Sequence, residues 1–252
     1  MKRRGLAALI AALAVIAVGI LISFFLSLRA KNTAQYTISL PGQGTATIDD
    51  MSLIRERNRE TVQAITVDEK NVHAVIDTLE RPAQNQCEYV ITYAYEDKTA
   101  TFTGAVAADG ARLAARTVNE AGTEIFHAVL SEKWVYVWGE DEIYRRFPRK
   151  ARDADLYACA PTYEDLLAIP RERILSASTE ELEDHLCLLV QTNDPLTGET
   201  QEWRIVVENG VLLTMQSFRD GRITYSAVLG TLSLQPPETR MFLLPDGASA
   251  AE

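Results

Sequence analysis

The sequence predicts an α+β protein, mostly antiparallel β, carried behind one membrane-spanning helix. Three observations predict this. Leu6 to Leu28 is a predominantly apolar run without charge or proline. From Cys87 onward, apolar residues alternate in short runs separated by turn dipeptides such as Asp109-Gly110, Asn209-Gly210 and Asp220-Gly221, and such strands pair antiparallel. Helical spacing is confined to a few short segments outside the sheet.

Taken in order, Leu6 to Leu28 reaches roughly 34 Å as a helix, enough to cross a hydrocarbon layer of about 30 Å. Lys2, Arg3 and Arg4 precede it, so the positive-inside rule places residues 1–31 as a cytoplasmic tip and anchor, with the rest outside the cytoplasm. Leu28-Arg29-Ala30 is a poor signal-peptidase site, so the run reads as an uncleaved anchor. Residues 32–65 read as a spacer followed by a weak helix, Asp49 to Ala64, with Met51, Ile54, Asn58 and Val62 along one stripe.

Residues 66–247 form the main domain. Thr66-Val67-Asp68-Glu69 fits a capping box, and Val72, Val75, Ile76 and Leu79 follow on one helical face. Arg81-Pro82 ends that helix, because the residue before proline resists helical angles. A first meander runs Cys87–Tyr95, Ala100–Ala107, Ala111–Asn119, Glu124–Leu130, Trp134–Trp138 and Ile143–Phe147. Residues 149–184 break the pattern as a helical insertion. Thr162 caps one helix there, and Glu180, Glu181, Glu183 and Asp184 read as solvated helix surface. A second meander runs Leu186–Gln191, Trp203–Glu208, Val211–Phe218 and Arg222–Leu234. Met241–Pro245 offers a last strand, and residues 248–252 a frayed tail.

The net charge is -10. Nucleic acid is excluded as a partner, since phosphate binding needs clustered Lys and Arg. No nucleophile elbow, zinc-protease helix, phosphate loop or paired CxxC occurs, so the chain reads as non-enzymatic, without cofactor or metal. Cys87, Cys159 and Cys187 are an odd set. A bond between Cys159 and Cys187 would staple the insertion to the sheet and contribute about 3 kcal/mol. The alternative is three buried small apolar side chains. Tyr93, Trp134, Trp138 and Trp203 are the candidate ligand contacts, as aromatic rows that line a cavity or pack an ordinary core.

Trp203 to Leu213, Phe218-Arg219-Asp220-Gly221-Arg222 and Phe242-Leu243-Leu244-Pro245-Asp246-Gly247 resemble the closing hairpins and F-x-x-P-x-G finish of the LolA-like superfamily. That group includes a lipoprotein carrier and the RseB-type envelope sensors. The resemblance implies a curved, half-open antiparallel barrel with helices on its concave face; a β-sandwich is the other architecture. It also implies an apolar ligand such as a lipid. Only Trp203, Phe242, Pro245 and Gly247 match the pattern by position, in structural places. Two functional readings stand. One is a membrane-anchored extracytoplasmic binding or sensing protein in a bacterial envelope. The other is a tethered protein-interaction module without a ligand cavity.

Overall fold

A computed structural model describes residues 48–150, 159–182 and 184–250. The expected anchor, Leu6 to Leu28, lies outside the described residues. Among those described, no helix is long and apolar enough to cross a membrane.

The alternating runs become eleven strands of one sheet. The first six are β1 (Gln84–Tyr95), β2 (Lys98–Asp109), β3 (Arg112–Asn119), β4 (Glu124–Leu130), β5 (Trp134–Trp138) and β6 (Arg145–Pro148). The other five are β7 (Ile174–Leu182), β8 (His185–Asp194), β9 (Glu199–Val206), β10 (Leu212–Arg219) and β11 (Arg222–Ser233). Short turns set the pairing. Asp220 and Gly221 both take positive φ, 52° and 73°, which twists a two-residue hairpin in the sense its strands need.

The order is β6-β5-β4-β3-β2-β1-β11-β10-β9-β8-β7, with every neighbouring pair antiparallel. The two meanders are fused by their ends in sequence: β1 pairs β11, with Ile91 opposite Ala227 and Tyr93 opposite Tyr225. Among the described residues the sheet is open, ending at β6 and β7, and the two-sheet sandwich is not formed.

Because side chains alternate along a strand and paired residues share a face, the register assigns each position to one side. Tyr93, Ile91, Ala227, Met215 and Trp203 lie on one face through consecutive pairings. This is the helix face. On it, Val72, Val75, Ile76 and Leu79 pack with Leu166 against Leu186, Leu188, Val190, Trp203 and Ile205. A second cluster on this face gathers Tyr89, Ile91, Ala227 and Leu229.

The opposite face of β2–β5 is covered by the segment that carries Met241, Phe242, Leu244 and Ala250. Ala105, Ala107 and Ala114 are small enough for Met241, Phe242 and Leu244 to press close, beside Val129, Tyr136 and Trp138. We call residues 236–250 the strap. Met241–Pro245, expected as a strand, is instead a 3-10 turn at Thr239–Phe242 followed by a single bridge, Leu243 to Ser249.

Among the described residues the α-helices are α1 (Ile48–Gln63), α2 (Val72–Thr78) and α3 (Tyr163–Ala168). In α1 the weak stripe is used through Asn58, whose amide exchanges two 2.9 Å hydrogen bonds with the Glu80 backbone. The expected Thr66–Glu69 capping box does not form. Asp68 and Asn71 turn the chain instead: the Asp68 carboxylate accepts from the Lys70 and Asn71 amides, and Asn71 Oδ1 accepts from the Asp68 amide. In α3 the Thr162 cap forms as expected, with the Thr162 amide donating to Asp165 at 2.9 Å.

The insertion is shorter than expected. After the 3-10 turn Arg171–Arg173, Ile174 already begins β7. Glu180 and Glu181 therefore lie on an edge strand, paired with Arg204 and Arg59. Edge carboxylates of this kind deter pairing with another chain.

Gly104 on β2 makes room for the insertion. A Cβ there would stand 2.7 Å from Cys159 Sγ and 2.9 Å from Ile91 Cδ1. Gly104→Ala should destabilise by about 2 kcal/mol through overpacking. Cys159→Ala should recover part of that loss, as read from urea midpoints at unchanged slope.

Candidate site: a groove beneath the strap

On the strap face, β3, β4, β5 and the strap enclose a groove of about 460 Å³, within the usual range of ligand sites. His127 lines it. The ring stacks on Trp138 with centroids 4.2 Å apart and planes 17° from parallel. Nε2 is 3.2 Å from the Met241 carbonyl and Nδ1 is 2.8 Å from Glu124 Oε1. The two nitrogens lie against oxygens from different elements, the Glu124 carboxylate on β4 and the Met241 carbonyl on the strap, so the ring bridges strap and β4.

The groove walls carry both charges. Arg116 and Arg240 stand with Glu124, Glu140 and Glu142, while Leu243, Leu244 and Pro245 add apolar surface from the strap. Arg240 and Arg116 pair with Glu238 and Glu88, and these pairs are solvent-exposed or long, so both guanidiniums can exchange partners at little cost. The arrangement can hold a chain that offers both hydrogen-bonding groups and apolar side chains. Among the described residues no group of His, Cys, Asp and Glu is placed to hold a metal ion.

The four aromatic candidates do not share a site. Trp134 and Trp138 are on the strap face, since their neighbours Val135 and Val137 follow the helix-face register through Leu130 and Ala128. Tyr93 and Trp203 are on the helix face. Trp138 alone lines the groove. Trp134 stacks beneath the Arg146 guanidinium, and Tyr93 is half exposed against Phe102 and Tyr225. Trp203 is buried, with Nε1 donating to Thr192 Oγ1 at 3.3 Å. Sequence reasoning passed over His127, Glu124, Arg116 and Arg240. The alternation of β4 puts His127 on one face with Val129, but its partner Met241 is 114 residues away.

The expected Cys159–Cys187 bond is also corrected. All three cysteines are free thiols. Cys159 lies over Gly104 on β2, whereas Cys187 is on β8, five strand spacings along the sheet, or about 24 Å. A disulfide needs Cα atoms within about 7 Å. Burial pushes each thiol up to about 12, so at pH 8 each stays protonated and poorly nucleophilic. Iodoacetamide at pH 8 should therefore leave the folded protein's thiols essentially unmodified and label all three after denaturation, read by intact mass.

No protein family model matches this chain, and no curated protein does. Solved structures do. A complex of MucA and MucB from Pseudomonas aeruginosa aligns at TM-score 0.44 and 11% identity, over 73% of this chain and 62% of that one. An uncharacterized conserved protein from Thermus thermophilus aligns at TM-score 0.42 and 9% identity, over 77% and 90%. A candidate outer membrane lipoprotein-sorting protein domain from Vibrio parahaemolyticus aligns at TM-score 0.27 and 11% identity, over 66% and 90%. With TM-scores of 0.44 and below, these likenesses carry no weight for function, which must come from this chain's own residues.

Proposed function

We propose that the protein is a membrane-tethered, extracytoplasmic binding module that works through contact with another polypeptide, not through an apolar ligand cavity and not as an enzyme. One observation carries the reading. The aromatic side chains that could have lined a lipid cavity are divided between two faces of the sheet, and Trp203 is sealed in a filled core. The groove under the strap is walled by five charged side chains. An acyl chain would strip water from them without replacing their hydrogen bonds, whereas a polypeptide supplies such groups along its backbone. The apolar run Leu6 to Leu28 supports the tether, and the charge of Lys2, Arg3 and Arg4 supports the outward orientation.

The test has two arms on the full chain. Alkaline phosphatase fused after Glu252 should be active in cells, and a fluorescent protein that matures only in the cytoplasm should be dark. Native mass spectrometry from detergent should show no stoichiometric lipid. A retained lipid that is lost in Trp138→Ala would overturn the reading.

A further inference from the structure

We propose that the hairpin loops at one end of the sheet form a docking surface for a cationic polypeptide segment bearing apolar side chains. This rests on the polypeptide-contact reading above and gives the contact a place and a chemistry.

The strand order creates the surface. Five loops fall at the same end: 139–144 between β5 and β6, 120–123 between β3 and β4, 96–97 between β1 and β2, 220–221 between β10 and β11, and 195–198 between β8 and β9. Each is two strand spacings from the next, about 10 Å. The groove opens at this end, since Thr123, Gly139 and Glu140 line it.

Two features mark the loops. The three most exposed large apolar side chains among the described residues are Leu196 at 90%, Tyr95 at 73% and Ile143 at 70%. They sit on or beside the fifth, third and first of these loops. An apolar side chain held at a loop tip contributes nothing to a core, and several at one end of a molecule mark a contact surface. The charge around them is negative. Glu96 and Asp97 follow Tyr95, Glu140 to Glu142 precede Ile143, Glu120 and Glu124 bound the second loop, Asp220 forms the fourth turn, and Asp194 and Glu199 bound the fifth; these acids outnumber the flanking bases Lys98, Arg145, Arg219 and Arg222. At the opposite end Glu132 adjoins Lys133, Glu208 is paired with Arg59 and Asp109 with Arg112, while Asp184 stands in the β7–β8 turn without an exposed large apolar side chain beside it.

Charge selects the occupant. A second copy would bring the same acidic loops against these, and a phosphate-bearing lipid surface would be repelled. A Lys- or Arg-rich segment is steered toward the loops, and its apolar side chains can cover Tyr95, Ile143 and Leu196.

The experiment uses the full chain in the cells that make it, with p-benzoylphenylalanine in place of Tyr95, Ile143 or Leu196. Leu53 and Ile65 on and after α1 serve as exposed apolar controls, and Leu243 as the groove position. After irradiation the contact peptide is sequenced by mass spectrometry. The expected result is that the loop positions, but not Leu53 or Ile65, join a protein segment with net positive charge. The yield should drop at least about fivefold in Glu96→Lys/Asp97→Lys/Glu140→Lys. Adducts to lipid, to another copy of this chain or to an acidic segment would overturn the proposal. So would yields that ignore the charge reversal, or no adduct at the loops. If the loops are silent while Leu243 joins a protein, the docking surface is wrong and the polypeptide-contact reading stands. Lipid adducts at Leu243 would sink that reading as well.

Discussion

Trp203→Ala is expected to remove about 4 kcal/mol of folding stability. The side chain is 3% exposed and lies among Leu188, Val190, Ile205 and Met215, in the cluster that also takes Ile76 of α2 and Leu166 of α3. Truncation therefore empties the seam between helices and sheet, and little can collapse into it without moving both. The ring is also part of a directed chain of hydrogen bonds. Its Nε1–H donates to Thr192 Oγ1, and Thr192 donates onward to Gln201 Oε1 at 3.1 Å. Trp203→Phe keeps most of the volume and loses the first bond, so it should cost only about 1 kcal/mol. Tyr93→Ala, at a side chain 52% exposed, should stay within about 0.5–1 kcal/mol. Urea titrations followed by circular dichroism give all three from the shift in midpoint, provided the slope is unchanged. A Trp203→Ala protein as stable as the parent would mean that the ring faces a cavity, and the filled core would have to be abandoned.

Strand existence was legible because each buried strand alternates and ends at a turn residue. Glu124–Leu130 and Trp134–Trp138 match to the residue. What alternation cannot carry is which face of the sheet a row joins. Trp134 and Trp138 visibly share a side of β5, and Tyr93 shares a side of β1 with Tyr89. Whether those sides coincide depends on register across four intervening pairings, bulges included. One residue of slip reverses the answer. β7 was missed for a related reason. Only Ile174 is fully buried in it, so an edge strand written Ser-Ala-Ser-Thr-Glu-Glu shows no apolar period. The strap was misread because Met241, Phe242 and Leu244 are buried by the sheet they lie on, not by pairing into it. The Cys159–Cys187 pairing failed on strand order, which chain proximity cannot reveal. The groove combines these limits: β4 supplies His127, the last turn supplies Met241, and nothing local to either announces the other.

Arg81→Met should destabilise by about 3 kcal/mol, although the residue ends a helix and would pass for a surface charge. Its guanidinium donates to the Ile76 and Leu79 carbonyls, both at 2.8 Å, and to the Gly210 carbonyl at 3.2 Å. It also lies 3.4 Å from the centre of the Tyr163 ring. One side chain thus gives the Leu79 carbonyl a donor and the Ile76 carbonyl a second one beside the Leu79 amide, at the C-terminus of α2, where a cation also suits the helix dipole. It clamps that end to the β9–β10 turn and to α3. Burial pulls the guanidinium below its ordinary value, while Tyr163, Glu164 and Asp77 oppose the shift; the charge is kept because its donors are used. The turn is built around it. Gly210 has φ +66°, and a Cβ there would stand 2.8 Å from Arg81 Cγ and 3.0 Å from Nε. Gly210→Ala therefore carries two penalties, about 1 kcal/mol for a left-handed alanine and about 1–2 more for displacing Arg81. The second should vanish in an Arg81→Ala background, where the space is open. A double-mutant cycle should then give a coupling of about 1–2 kcal/mol. If the two substitutions simply add, the turn and the arginine are independent, and the clamp between α2, α3 and the sheet does not exist in solution.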